Sequence, residues 1–89
     1  MMSEGYAMES IIEEICQMLG KDFNVKDEIT EDKQKLPLTS FSFGLNAAQL
    51  YQLLMAVEEK YNIYFAVSEI EKNGFGTVEE IARLVQLNL

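Results

Sequence analysis

The chain has 89 residues, of which 48% are apolar and 25% are charged, and its formal net charge is -8. This composition is typical of a folded domain with one hydrophobic core, so we expect a single domain over residues 1–89. The negative charge argues against nucleic acid as a partner, because proteins bind phosphates mainly through Lys and Arg, and it favours a basic protein surface.

Two sequence features bear on location and chemistry. No apolar run approaches the roughly 18 residues that span a bilayer, and the first residues lack the basic and apolar parts of a secretory signal, so we expect a cytoplasmic protein that does not contact membranes. The chain has one cysteine, Cys16, and no histidine. An internal disulfide, a mixed metal site and a Cys-His nucleophile pair are therefore excluded, and we expect neither an enzyme nor a bound metal. We interpret Cys16 as a small core hydrophobe rather than a reactive thiol.

The first predicted element is an amphipathic helix. Its apolar residues recur at intervals of three and four, with acidic and polar residues between them. We expect it to begin between Ser3 and Ala7 and to end at Gly20. The apolar positions are Met8, Ile11, Ile12, Ile15, Met18 and Leu19.

Residues 21–45 follow as a long irregular loop. A loop of this length in a small domain is either functional or held by its own apolar residues. The acidic residues of its charged runs, at residues 26–28 and 31–33, lack the glycine and the ligand spacing of a calcium loop, so we interpret them as solvated surface. The residues that can hold the loop on the core are Phe23, Val25, Ile29, Leu36, Leu38, Phe41 and Phe43.

The second predicted helix begins after Asn46, a good N-cap residue, and ends at Asn62. Its core-facing residues are Leu50, Leu53, Leu54, Val57 and Tyr61. Tyr51 and Met55 lie four residues apart and off this stripe. They either pack inside the protein, which their helical spacing favours, or form an exposed binding patch.

Two further helices complete the prediction. A short one is expected at about residues 68–72, with Ser68 and Glu71 at capping-box spacing, and a last one follows Thr77, with Glu80 completing a second capping box. A turn at residues 73–76 separates them. The sequence therefore predicts an all-α fold, a small antiparallel bundle of three main helices and one short helix with a long first loop.

Residues 43–48, Phe-Gly-Leu-Asn-Ala-Ala, resemble the Leu-Gly-Leu-Asp-Ser-Leu signature of acyl carrier proteins. Residues 53–61 and 77–85 are similar to the helical segments that follow in that family. The chain thus resembles the acyl carrier protein-like family as a divergent member, similar to acyl carrier-related proteins of bacterial peptide-maturation systems. Ala47 stands where carriers have the serine that holds phosphopantetheine.

The resemblance implies a carrier-like fold that cannot hold phosphopantetheine at the usual position. Alanine has no oxygen for phosphopantetheine, and Asn46 and Ala48 replace the usual aspartate and leucine beside it. We therefore expect no cofactor and a binding or adaptor module in a biosynthetic or peptide-maturation system. The alternative is an active acyl or peptidyl carrier, in fatty-acid, polyketide or nonribosomal peptide synthesis, that carries 4'-phosphopantetheine on a displaced serine, Ser42 or Ser40.

Carriers meet their enzymes through the exposed side of the second helix, so the resemblance also implies a partner surface. We expect a monomer that binds a biosynthetic or modifying enzyme there. The candidate partner-binding residues are Leu45, Gln49, Tyr51, Gln52, Met55, Glu58 and Glu59. Beyond this helix the resemblance places the aromatic residues at 61–65 along an acyl-chain cleft, whereas the sequence pattern favours the core for Tyr61 and Phe65 and leaves Tyr64 open.

Overall fold

Helices make up the regular secondary structure of this protein in the computed structural model, which describes residues 7–26, 28–40 and 43–89. Within these ranges there are four α-helices, one short 3₁₀ helix and no strand, so the all-α prediction is confirmed. The elements in chain order are α1 (Met8–Asp22), the 3₁₀ helix (Lys33–Lys35), α2 (Ala47–Tyr61), α3 (Val67–Asn73) and α4 (Val78–Leu87).

Helix α1 runs two residues past its predicted end. The prediction that Gly20 stops it was wrong, because one glycine inside a helix costs only about 1 kcal/mol relative to alanine. The chain instead turns at Asn24, whose φ is 60°. The backbone N–H groups of Phe23 and Val25 then both donate to the carbonyl of Leu19, at 3.2 and 3.1 Å. At its start the helix has Ala7 as N-cap, and the predicted range of starting positions extends into residues 1–6, outside the described residues.

Both predicted ends of α2 are confirmed. Asn46 is the N-cap, and Asn62 is the C-cap in the left-handed conformation, with φ 55° and ψ 50°. Asparagine tolerates this conformation better than most residues because its short polar side chain bonds locally.

Helix α3 begins earlier than predicted. Its N-cap is Ala66, whose side chain cannot cap, and the helix starts at Val67. The predicted capping box of Ser68 and Glu71 was therefore wrong, since Ser68 already lies inside the first turn.

The cap of α4 is confirmed in one half. The Thr77 hydroxyl accepts from the backbone N–H of Glu80 at 3.0 Å. The Glu80 carboxylate, however, accepts from the backbone N–H of Gly76 at 3.0 Å rather than from Thr77. Gly74 lies beside this carboxylate and has a φ of 83°, a backbone conformation that residues with a side chain rarely adopt.

Helix α4 is the central element of the core, packing against α1, α2, α3 and the 3₁₀ helix. The buried residues are Ile11, Ile15, Leu19, Leu38, Leu45, Leu50, Leu53, Leu54, Val57, Phe65, Val78, Ile81, Ala82, Leu84 and Val85. Of these, Leu38 and Leu45 come from the first loop, which is tied to the α3–α4 turn because the Leu38 N–H donates to the Gly76 carbonyl at 2.7 Å.

The other loop residues that were expected to hold the loop divide into three groups. Those that pack partly buried against the core are Phe23, Val25, Ile29 and Phe43. Leu36 is 38% exposed, so its expected anchoring role is not observed. Phe41 lies outside the described residues.

Candidate functional site

The start of α2 is held by a reciprocal pair of hydrogen bonds. The backbone N–H of Gln49 donates to Asn46 Oδ1 at 2.8 Å, and the backbone N–H of Asn46 donates to Gln49 Oε1 at 3.0 Å. This capping box satisfies two backbone donors that the helix itself leaves unpaired. Gln49, a candidate partner-binding residue, therefore has its side-chain oxygen engaged in the cap.

Ala47 and Ala48 lie on the exposed first turn of α2. The first turn carries no acidic residue. The exposed side-chain groups there are methyls. The helix start thus offers no nucleophile.

Of the two alternative attachment serines, Ser40 and Ser42, the structure describes Ser40. The Ser40 hydroxyl oxygen is buried and has no hydrogen-bond partner among the described residues. Its backbone carbonyl accepts from the N–H groups of Phe43 and Gly44, at 3.2 and 2.7 Å. A transferase must reach the oxygen that it modifies, so this burial weighs against Ser40. Ser42 lies outside the described residues.

Tyr51 and Met55 form the exposed patch rather than packing inside the protein. Their relative exposures are 60% and 59%. The Tyr51 ring lies beside the ring of Phe75, at a centroid distance of 5.9 Å and an interplanar angle of 40°. Phe75 was not predicted to support this surface. The sequence feature that could have indicated this role is an aromatic residue between two glycines in a turn.

The remaining candidate partner-binding residues have different roles. Leu45 is 5% exposed and belongs to the core, so it is not accessible to a partner. The Glu58 carboxylate accepts from the backbone N–H of Phe65 at 2.8 Å and so supports the segment after α2.

Gln52 and Glu59 are exposed. The accessible set, which we name the α2 face, consists of Tyr51, Gln52, Met55 and Glu59, and helical spacing of three and four places these residues side by side.

The aromatic residues after α2 are divided between the core and the surface. Phe65 is 3% exposed, which confirms its predicted core position, whereas Tyr64 is 73% exposed. Tyr61 is partly buried against the core, and its hydroxyl donates to the carboxylate of Glu14 on α1. This last contact joins the end of α2 to α1.

Two surface pockets occur away from the start of α2. One, of about 470 Å³, lies between α1, the 3₁₀ helix and the start of α4. The other, of about 380 Å³, lies between α1 and the second half of α2. Neither of these two pockets is lined by Tyr51, Met55 or Tyr64.

Cys16 lies on α1 and is partly buried. Burial, and after it the negative charge of Glu13, raise the pKa of the Cys16 thiol. Since the thiolate is the nucleophile, a raised pKa makes this cysteine less reactive.

Within residues 7–26, 28–40 and 43–89, no group of three or more His, Cys, Asp or Glu side chains is arranged to hold a metal ion, and no helix is long and apolar enough to cross a membrane.

Comparison with known proteins gives no match, whether with family models, with curated proteins or with solved structures. The function is therefore argued from the residues of this chain.

Proposed function

We propose that this protein is an acyl-carrier-protein-like adaptor, a non-enzymatic module that binds a protein partner through the α2 face and carries no phosphopantetheine. The observation that carries the proposal is the start of α2. There the capping box of Asn46 and Gln49 fixes a helix whose exposed first residue is Ala47. A carrier needs a hydroxyl at that point, and alanine cannot accept the cofactor.

The arrangement of elements supports a carrier-like shape. A long first loop precedes α2, a short α3 separates α2 from α4, and Gly44 takes a positive φ of 70° just before α2. These features agree with the resemblance of residues 43–48 to the carrier signature. The antiparallel, carrier-like topology is part of this proposal.

The chemistry of the α2 face suits a protein partner. Aromatic and Met side chains are enriched at the centres of protein interfaces, and Tyr51 and Met55 are both more than half exposed. Gln52 and Glu59 supply polar groups beside the Tyr51 and Met55 side chains. A partner that fits has an apolar pocket for Tyr51 and a basic residue near Glu59. We propose that this partner is a biosynthetic or modifying enzyme, including those of peptide maturation, because the chain resembles carrier-related proteins of such systems.

The alternative function, a carrier loaded at a displaced serine, has less support. The Ser40 oxygen is buried, and both Ser40 and Ser42 precede the turn at Gly44, whereas carriers place the attachment serine after that turn on the first turn of the helix. Mass mapping of any loaded protein distinguishes the two functions.

Site-specific photo-crosslinking in native cells tests the binding role. Benzoylphenylalanine replaces Gln52 on the α2 face or, as a control, Gln86, an exposed residue of α4. We expect a discrete adduct with one enzyme from position 52, absent from position 86, and lost when Tyr51→Ala and Met55→Ala are added. Equal adducts from both positions, or an adduct that survives the double substitution, would contradict a docking role for the α2 face.

A further inference from the structure

The larger surface pocket is a groove with an apolar floor. It has a volume of about 470 Å³, is open to solvent, and lies between α1, the 3₁₀ helix and the start of α4. The floor is formed by Ile12, Cys16 and Ile29, which pack partly buried against the core. None of the residues of the α2 face lines this groove, so it is a separate surface.

The rim of the groove is negatively charged. Its carboxylates come from α1, the first loop and α4: Glu9, Glu13, Glu31 and Glu79. Among the described residues that line the groove, Lys35 is the one basic residue, which leaves a net charge of -3 from four acids and one base. Arg83 lies 4.0 Å from Glu79 in an exposed pair and offsets part of the Glu79 charge, so the sign of the rim is set mainly by Glu9, Glu13 and Glu31. The tertiary fold, rather than one acidic run of sequence, gathers these charges around the apolar floor.

We propose that this acidic groove binds a basic, partly apolar segment of a protein partner. Lys and Arg side chains fit such a site because their aliphatic stems lie on apolar surface while their charged ends reach carboxylates. A small molecule fits less well, since small-molecule sites enclose most of the ligand surface and this groove is open. The inference does not rest on the proposed function, because it concerns a second contact surface made of different residues.

The wider charge distribution favours the same occupant. Residues 1–32, which include α1, contain nine acidic residues against two lysines, a net charge of -7. A surface of this charge attracts basic segments and raises their rate of association. Long-range electrostatic attraction and the local chemistry of the groove therefore both favour a basic, partly apolar segment.

Three short fluorescein-labelled peptides test the proposal: one of alternating Lys and Leu, one of alternating Glu and Leu, and one of alternating Lys and Gly. Binding is followed by fluorescence anisotropy at low salt. Cys16 provides a second readout because it is the only cysteine of the chain and lines the groove. Its alkylation by N-ethylmaleimide, measured by intact mass at fixed pH, slows when a ligand covers the floor.

We expect the Lys-Leu peptide to bind, to slow the alkylation of Cys16, and to bind more tightly than the other two peptides. The double variant Glu9→Lys/Glu31→Lys should weaken that binding about tenfold, because it replaces two attractive charges by repulsive ones. The matched control Asp22→Lys/Glu71→Lys makes the same change in net charge at exposed residues outside the groove and should preserve most of the affinity.

Four results would overturn the proposal. Absence of binding is the first, and binding that leaves the alkylation rate of Cys16 unchanged is the second. The third is equal loss of affinity in the two double variants, which would show attraction to net charge alone. If the Lys-Gly peptide binds as tightly as the Lys-Leu peptide, the apolar floor contributes nothing and a partly apolar ligand is excluded.

Discussion

The backbone N–H of Phe65 donates a hydrogen bond of 2.8 Å to the carboxylate of Glu58, seven residues earlier on α2. The bond draws the segment after α2 back onto the last turns of that helix and helps to place the buried Phe65 ring. Glu58 was a candidate for partner recognition, and its contact with Phe65 gives it a role in holding the fold. Neighbouring Glu59 is exposed and is the acidic residue that a partner can reach.

Replacing Glu58 should therefore change stability, and replacing Glu59 should not. A hydrogen bond to a charged group contributes about 1.5 to 3 kcal/mol, so Glu58→Ala should lower the free energy of unfolding by about that amount. Glu59→Ala should stay within about 0.5 kcal/mol of the wild type, as most exposed substitutions do. Urea unfolding followed by circular dichroism measures both. Equal stabilities of the two variants would show that the Glu58–Phe65 bond does not contribute.

The cap of α2 gives a second prediction. Asn46→Ala removes the acceptor for the Gln49 N–H and should cost about 1 kcal/mol of stability. Asn46→Asp keeps an acceptor and places a negative charge at the positive end of the helix, so its stability should match or exceed that of the wild type. Thermal unfolding of the three proteins under the same buffer conditions compares them. If Asn46→Asp is as unstable as Asn46→Ala, the side-chain cap is not what holds the helix start.

The reactivity of Cys16 gives a third prediction, because burial and the charge of Glu13 raise its pKa. Only the thiolate reacts, so the alkylation rate of the folded protein should rise at higher pH than that of the same protein unfolded in urea. Glu13→Gln removes the smaller cause and should move the profile partway towards lower pH, while burial holds it above the unfolded profile. The rates are measured by intact mass across a pH series. A folded profile that coincides with the unfolded one would contradict this environment for the thiol.

The ends of α2 could be predicted because their signals are local. Asn46 and Asn62 each act through bonds within a few residues, and both were placed from the sequence alone. The end of α1 and the start of α3 could not be placed in this way. A single glycine does not break a helix whose apolar face packs on the core, and Ala66 carries no capping signal although it precedes α3.

The candidate site was predictable to a similar degree. The positions of Tyr51 and Met55 off the apolar stripe follow from helical spacing, but their exposure depends on which neighbouring elements cover α2. The contact of Tyr51 with Phe75, and the grouping of Glu9 with Glu79 around one groove, join residues that are distant in sequence. Periodicity does not reveal such contacts, because it describes one element at a time.

Intact mass spectrometry after incubation with coenzyme A and a broad-specificity phosphopantetheinyl transferase tests whether this protein can carry phosphopantetheine. The control is the variant Asn46→Asp/Ala47→Ser/Ala48→Leu, which places the Asp-Ser-Leu of the carrier signature at the start of α2. We expect an unchanged mass for the wild type and a gain of one phosphopantetheine for the variant, mapped to position 47. A wild-type gain mapped to Ser42 or Ser40 would contradict the proposed function and make this protein an active carrier with a displaced attachment site.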